Sequence, residues 1–503
     1  RGRLAPSGLT APNRRCALFV EGALKTVKIS GNNIVAVRDV PDRGRDAVTN
    51  STETKVETFH AADYLSPSRI LYWRWLLWRS QYYSPEQLHA LQWSLFSSLL
   101  KHCFDKVPYY RGLFSHLGLH PSDFKSLDDL RHIPILGKRV LVDRNVEFMA
   151  ADITRYRARQ IHTSGTTGAS LSAWWDIDSN VIEFCCQWRQ FAWANHRLGQ
   201  SFLDIRNYRQ HTSRDYVWEW KCRGLRSSSH YFTCDNIAEW THLLRKHKIT
   251  TWRGHPTAMD RIARLLSEAR IDDLKPKSIV SVGEALLQNQ REYLESWAGT
   301  PVCDNYGLME HTAMICQCEH GGYHIASEYG IVEVIKDDGT AAGPGEEGRI
   351  VSTTLHNRAF PLLRYDTQDY AVQSDRHCPC GRTLPLVERI AGRADDRVLN
   401  SRGEWVAGLH IAVSEIGKGI RCSQIVQNEA GALDMYVVPS SGYSEEVRNT
   451  ILSRLKLQLG DGMKIGIHEV EDVPYKGRKK SRFVVSNLRK PPAGITEQSG
   501  QAQ

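Results

Sequence analysis

The sequence predicts an α/β protein: a large N-terminal α/β domain with an antiparallel β portion, then a small C-terminal α+β domain. Three observations carry this prediction. Helix-like runs such as WTHLLRKHK (240–248) and AMDRIARLLSEARI (258–271) alternate with short strand-like runs, SIVSVG (278–283), YGIVEVI (329–335) and GRIVSTTL (348–355). Around DDGTAAGPGEEG (337–348) the Gly- and Asp-rich turns read as hairpins, and hence as antiparallel strands. After IAGRADDRVLNSRGEW the pattern restarts as a smaller unit, with strand-like MYVVP and helical EEVRNTILSRLKLQLG. At 503 residues, with 41% hydrophobic and 24% charged residues and a mean hydropathy of -0.42, the chain has the composition of a soluble globular protein. A soft prior of one domain per ~150 residues gives two or three units, and disorder throughout is excluded.

Residues 1–60 contain Pro, Gly, Asn and scattered charges without sustained periodicity, and the first Met of the chain is Met149. They read as a poorly ordered leader. The next feature is ILYWRWLLWRSQYY (70–83), an aromatic segment interrupted by Arg74 and Arg79. It is shorter than the ~18 apolar residues that span a bilayer. A buried or partly buried helix is the favoured reading and a membrane-surface anchor the other, because Arg side chains can snorkel from either. Ser-Pro-Glu-Gln (84–87) then supplies a helix cap and an N1 proline, and Leu88, Leu91, Leu95, Leu99 and Leu100 recur at helical spacing until VPYYRGLF breaks the run at Pro108. The boundaries that follow are 61–394 for the large domain and 395–503 for the small one. Arg393 to Asp396 form a candidate hinge, although composition alone leaves a simple exposed turn open.

The formal charge is +9, but the basic residues are spread out and the densest cluster, KGRKKSR (476–482), is short. With no recognisable reading module, nucleic acid is not expected as a partner, and anionic small molecules suit the balance. The twelve Cys are irregularly distributed, and the apolar run of RRCALFVEGALK is broken by Glu21, so no secretory signal is read there. A reduced cytoplasm is the expected compartment, and no transmembrane segment is expected.

HTSGTTGAS (162–170) has the inventory of an anion cradle. Gly165 and Gly168 leave backbone N–H groups uncovered, and Thr163, Ser164, Thr166 and Thr167 add hydroxyl donors. Ala169 and Ser170 stand where a Walker loop needs Lys and Ser/Thr, so the nucleotide-hydrolase reading fails. Taken alone, the stretch leaves a flexible polar loop open.

It is the first of an ordered set: TSGTTG (163–168), SVGEAL (281–286), NYGLMEHT (305–312), RYDTQD (364–369), AGRADD (391–396) and KGRKKSRFVVS (476–486). In order and spacing the set resembles the adenylate-forming enzymes, and in detail their phenylacetate–CoA ligase branch, especially the CapK-type proteins associated with capsule biosynthesis. VPYYR, TTWRGHPTAMDRIARL and FPLLRYDTQDYA carry the same likeness, which covers roughly residues 64–490. It implies an adenylation domain with a small mobile C-terminal domain, and attack of a carboxylate on the α-phosphate of ATP to give an acyl or aryl adenylate and pyrophosphate. A second nucleophile, CoA or another acceptor, then displaces AMP. Since a charged triphosphate must be held while charge moves onto pyrophosphate, positioning and electrostatics should carry most of the catalysis.

The resemblance implies roles residue by residue. Thr163, Ser164, Gly165, Thr166, Thr167 and Gly168 would grip the β and γ phosphates, and Glu310 would hold Mg²⁺, a hard cation that prefers oxygen. Gly283, Glu284, Ala285, Tyr306 and Gly307 match the adenine pocket. Asp369 matches the carboxylate that binds the ribose hydroxyls, Arg393 a further ribose contact and Asp395 the hinge. Lys480 matches the mobile catalytic lysine. Three departures stand out: Lys479 precedes Lys480 where Gly is usual, which leaves the one-residue assignment open, Gly-Ala-Ser ends the phosphate loop in place of Gly-Lys-Pro or Gly-Thr-Pro, and Gln368 occupies a position where Gly is usual.

CQCEHGGYH (316–324) and HCPCGR (377–382) add a candidate zinc site. Zinc favours four thiolate or imidazole ligands, and paired clusters with turn-forming Gly or Pro can supply them. Cys318, His324, Cys378 and Cys380 are the best quartet, which agrees with a constellation in some members of the branch, while Cys316 and His320 read as near neighbours; buried, redox-inert thiols with surface histidines are the other reading. Such a site would be structural, pinning the segment after NYGLMEHT to the one after RYDTQD. The expected partners are a small carboxylate, ATP and a thiol or amine acceptor, with room for a homodimer. An adenylyltransferase that leaves AMP on its substrate and a catalytically weakened scaffold of the same fold are the alternatives.

Overall fold

The computed structural model describes residues 67–162, 171–197, 199–206, 216–220, 222–228, 231–393, 397–403, 405–406, 409, 419–440, 442–474 and 483–488. Thr163 to Gly168, Asp395, Lys480 and the leader lie outside the described residues, as does the side chain of Arg393.

Three helices open the described chain: α1 (Pro67–Ser80), α2 (Pro85–Lys106) and α3 (Pro108–Leu117). Ser84 caps α2 by accepting from the Gln87 N–H, while the Gln87 side chain accepts from the Ser84 N–H, a reciprocal box that satisfies two orphan donors. Val107 in extended conformation separates α2 from α3, because the ring of Pro108 disfavours helical geometry in the residue before it. The Leu periodicity located α2 correctly, but Leu91 and Leu95 are half-buried and Phe96 is as fully buried as Leu99. Phe96, Leu99, Phe114 and Phe148 form a core with Leu363 and Tyr365 from the far end of the domain. A short α4 (Lys138–Asp143) adds Leu141 to it.

β1 (Arg159–His162) and β2 (Ser172–Trp175) pair antiparallel, His162 opposite Ser172. Asp176 then caps α5 (Ile177–Trp193), its carboxylate accepting from Ser179 N–H at 2.8 Å. Next come β3 (Ser201–Arg206), β4 (Tyr216–Glu219), β5 (Gly224–Ser228), α6 (Ile237–Lys246), β6 (Ile249–Gly254), α7 (Pro256–Glu268), β7 (Ser278–Val282), α8 (Gln288–Ala298) and β8 (Val302–Gly307). The antiparallel portion follows as β9 (Met314–Gln317), β10 (Tyr323–Ile325), β11 (Gly330–Ile335), β12 (Glu347–Thr354), β13 (Tyr365–Ser374) and β14 (Leu386–Arg393).

These strands form one twelve-stranded sheet, ordered β11-β12-β13-β14-β10-β9-β8-β7-β6-β3-β5-β4. From β8 to β5 its pairs are parallel, and from β8 to β11 antiparallel. Parallel strands need crossovers, which α7 and α8 provide. In α7, Met259, Ile262, Ala263 and Leu266 recur at i, i+3, i+4 and i+7 and are all fully buried against the sheet. Each of the larger three contributes ~1.5–3 kcal/mol by that burial.

The C-terminal segment has its own sheet. After the small pair β15 (Val398–Leu399) and β16 (Trp405–Val406) come β17 (Ile420–Gln427), β18 (Ala432–Pro439), β19 (Lys464–Glu469) and β20 (Val484–Ser486), ordered β19-β18-β17-β20. Helix Glu445–Leu459 lays Ile451, Leu455 and Leu459, all fully buried, on this sheet in a separate core.

Candidate active site

The parallel strands aim their carboxyl ends at one rim, where open α/β sheets bind ligands. β7 is buried along its whole length, and the chain then surfaces at Gly283. Gly283 has φ +80°, which favours glycine, and a Cβ there would lie 3.1 Å from His255 Nε2 and press on the imidazole. Glu284 is clamped: Thr257 donates to Oε2 at 2.5 Å, and His255 Nδ1 lies 3.3 Å from Oε1. His255 and Thr257 come from the junction of β6 and α7, so they hold Gly283–Ala285 from the neighbouring strand. Gly283 and Ala285 are themselves exposed, which leaves their backbone free to meet a planar ligand.

At the end of β8, Tyr306 donates to Asp369 Oδ2 at 2.8 Å, joining NYGLMEHT to RYDTQD. Burial, reinforced by the Asp369 carboxylate, pushes the Tyr306 hydroxyl well above its ordinary pKa, so it stays protonated and donating. A second link runs parallel to it, from the Tyr365 hydroxyl to Glu310 Oε1 at 3.3 Å. Tyr365 is pushed up in the same way, by burial first and Glu310 next. Asp369 stands directly opposite Arg393 in the β13–β14 ladder, which brings the two expected ribose contacts to adjacent backbone positions.

Gln368 has φ +63°, and its N–H donates to Asp366 Oδ1 at 2.9 Å. This left-handed turn explains why glycine is usual there, and its cost for a residue with a Cβ is roughly 1–2 kcal/mol. Glu310 offers a single hard carboxylate, with one oxygen engaged by Tyr365. That donor set fits Mg²⁺, which keeps several waters and takes its other ligands from phosphates.

Sequence reasoning missed His255, Thr257, Tyr365 and Trp175. The first three lie inside stretches singled out for their likeness, GHPTAMD and RYDTQD. Trp175 donates to the Met309 carbonyl at 2.6 Å and stacks on His311 at 4.1 Å between centroids. It thereby fixes the loop that carries Glu310.

The four predicted zinc ligands converge. The donor atoms of Cys318, His324, Cys378 and Cys380 all lie within 4.8 Å of one another. Cys318 Sγ is 3.5 Å from Cys378 Sγ, and Cys380 Sγ is 3.3 Å from His324 Nε2. Bonds of about 2.0–2.3 Å to a tetrahedral ion imply ligand–ligand edges of about 3.3–3.8 Å, so the set fits zinc. Burial pushes Cys318 up to about 12 and His324 down to about 4. Against the push of burial, the Arg382 backbone N–H, Cys378 and the Arg382 guanidinium draw the Cys380 thiol down. His324 Nδ1 donates to the Leu384 carbonyl at 3.3 Å, which turns Nε2 toward the thiols. A Cβ on Gly322 would stand 2.7 Å from Cys378 Sγ, so the loop closes on the cluster only with glycine there. Cys316 is a buried neighbour that accepts from Asn305 Nδ2 at 3.4 Å.

Comparison with known proteins agrees with this geometry. Residues 398–487 match the CapK C-terminal domain. The fold is similar to that of 2-hydroxyisobutyryl-CoA ligase in the postadenylation state, in complex with R3-HIB-AMP. The TM-score is 0.68 at 18% identity, with 81% of this chain and 91% of that one covered. The same enzyme with 2-HIB-AMP and CoA in the thioesterification state gives a TM-score of 0.51 at 19% identity, with the same coverage. This is the fold of the adenylate-forming CoA ligases, a large adenylation domain followed by a smaller C-terminal domain.

Within that class the likeness is specific. Phenylacetate–coenzyme A ligase of Thermus thermophilus is 26% identical over 390 residues, 73% of this chain and 85% of the relative. That of Escherichia coli is 28% identical over 367 residues, 67% and 77% of the two. The chain is thus an acid–CoA ligase-like, adenylate-forming enzyme related to the phenylacetate–CoA ligases, with a CapK-type C-terminal domain.

Proposed function

We propose that this protein activates a carboxylic acid with ATP, forming an acyl or aryl adenylate and pyrophosphate, and passes the acyl group to the thiol of CoA. The observation that carries the reading is the pair of links Tyr306–Asp369 and Tyr365–Glu310, which join two motifs some sixty residues apart at the rim where Gly283–Ala285 emerge. In this reading Gly283–Ala285 and Tyr306 hold adenine, Asp369 and Arg393 the ribose, and Thr163–Gly168 the β and γ phosphates. Mg²⁺ at Glu310 would neutralise phosphate charge as pyrophosphate leaves. Lys480 is assigned to bridge the substrate carboxylate and the α-phosphate, delivered by a small domain, 395–503, that turns about Asp395 between the two half-reactions.

Cys318, His324, Cys378 and Cys380 are assigned to a structural zinc, which closes the loops behind the rim and takes no part in the chemistry. None of the eleven described cysteines is in a disulfide, which supports a reducing compartment, the cytoplasm, where ATP and CoA are present. The CapK-type segment favours a place in capsular or extracellular polysaccharide synthesis over aromatic degradation. The test is ATP–pyrophosphate exchange across aryl, short-chain and sugar carboxylates, followed by CoA-thioester detection with any acid that supports exchange. Acid-dependent exchange and thioester are expected. No exchange with any acid in a broad panel would refute the reading, and AMP retained on a product would mark an adenylyltransferase instead.

A further inference from the structure

Helix α1 has two apolar faces, and the fold uses one. Leu76, Leu77 and Ser80 are buried, with Ile70 and Trp73 packed beside them on the core that includes Val181, Ile182 and Cys185 of α5. On the opposite side Leu71, Trp75 and Trp78 recur at i, i+4 and i+7, and Tyr82 follows just past the helix end. Their exposures are 68, 53, 65 and 53%. With Tyr72, these residues make up five of the nine large hydrophobic side chains exposed among the described residues, all within twelve positions. Scattered exposed hydrophobics are ordinary, but a contiguous stripe marks an interaction surface.

The charges identify the occupant. At about 100° per residue, Arg74 falls on one flank of the stripe and Arg79 on the other. Arg79 also lies 5.1 Å from the centroid of the Trp75 ring. Residues 67–83 contain no Asp or Glu. Arg69, at the start of the helix, is already tied to Asp178. A second copy applied to this face by two-fold symmetry would set Arg against Arg around an apolar seam to which α1 itself brings no carboxylate. Trp and Tyr, by contrast, are the side chains that settle at headgroup level, and Arg can reach lipid phosphate from a helix lying in that plane.

We infer that α1 seats this protein peripherally on a bilayer with anionic headgroups, Leu71, Trp75 and Trp78 entering the headgroup–acyl boundary while Arg74 and Arg79 meet phosphates. The stripe from Leu71 to Tyr82 is about 16 Å long at ~1.5 Å per residue, so it lies on the surface and does not cross it. No helix among the described residues is long and apolar enough to span a membrane. This inference is independent of the substrate, since none of these residues belongs to the nucleotide rim or the thiol cluster.

The test is co-sedimentation of the full chain with vesicles of phosphatidylcholine, pure or with three-tenths phosphatidylglycerol. Binding to the anionic vesicles about tenfold or more tighter than to the neutral ones is expected, weakening in high salt. Trp75→Ser/Trp78→Ser should lose binding to both, and Arg74→Gln/Arg79→Gln only the anionic preference. Both variants should keep the wild-type unfolding midpoint and lipid-free exchange activity. Wild-type protein that ignores both vesicles, or a Trp double variant that binds as well as wild type, would overturn the inference. So would a dimer in lipid-free solution that the Trp double variant dissolves while vesicles stay bare, which would assign the face to a second copy.

Discussion

The thiol–imidazole cluster and the rim proposed to hold nucleotide share two stretches of chain, and they differ in completeness. Tyr306 meets Asp369 at one end of the β13–β14 ladder, while Cys318 meets Cys378 beyond the other. In the cluster all four donors stand within 4.8 Å, closed in by Gly322 and oriented by Leu384. The rim presents fixed carboxylates and glycine backbone, and the lysine proposed for it falls, in chain order, between β19 and β20. A structural site is finished when the chain folds; a site that runs two half-reactions has to leave one wall to be supplied by motion.

If that contrast holds, damage at the rim changes rate and damage at the cluster changes stability. The largest effect is expected from Lys480→Ala, which should lower acid-dependent pyrophosphate exchange by roughly 10²–10³-fold, on the scale of removing one oriented transition-state donor. Its unfolding midpoint should match wild type; equal exchange by the variant would move the catalytic role to Lys479 or Lys476. Asp369→Asn replaces a charged acceptor with a neutral one and should raise the KM for ATP by about ten- to hundredfold, from a loss of ~1.5–3 kcal/mol. Initial rates over a range of ATP concentration decide this, and an unchanged KM would remove Asp369 from the ribose. Tyr306→Phe tests the same contact and should cost only several-fold.

At the cluster, Cys378→Ser should reduce zinc in the purified protein from about one equivalent to well below half, as read by metal analysis. The unfolding midpoint should fall with it, by about 2–4 °C for each kcal/mol lost, while exchange per folded molecule changes little. Zinc absent from the wild type would leave the quartet as reduced thiols only.

Two histidines outside both regions set the pH range in which these comparisons can be made. Burial pushes His196 and His356 down to about 4. Both are neutral when folded, so their contribution is complete above about pH 6.5 and is lost as pH falls toward 4, where the unfolded chain takes up protons that the folded chain refuses. Between pH 7 and 5 the loss should be about 2 kcal/mol per histidine, read from urea midpoints. Because Asp176, raised by burial to about 6, works in the opposite direction over the same range, the check is a His196→Asn or His356→Asn variant, whose profile matching wild type would contradict it. The smallest effect is expected at Gln368, where Gly would relieve a φ of +63° and gain at most about 1 kcal/mol, with activity retained.

Much of the fold could be read from the sequence because its signals are local. The cap at Ser84, the break at Pro108 and the i, i+3, i+4, i+7 stripe of α7 depend on residues within a few positions of one another, and the structure places each where periodicity puts it. The convergence of Cys318, His324, Cys378 and Cys380 was legible for a related reason, since Cys and His paired across Gly or Pro turns are rare enough to stand out singly. Phe96, Trp175 and His255 were not legible. Their roles come from partners about 130 residues or more away, or from a neighbouring strand, and nothing in the adjacent sequence marks them.

Helix α1 shows where the division falls. The sequence by itself marked residues 70–83 as an aromatic, Arg-interrupted segment too short to span a bilayer, and put the ordered motifs into resemblance with one family. Only the tertiary structure decided that Leu76 and Leu77 face inward while Leu71, Trp75 and Trp78 face outward, and that Tyr306 reaches Asp369. Periodicity defines the faces of a helix or a strand, but the packing of distant elements selects which face is covered.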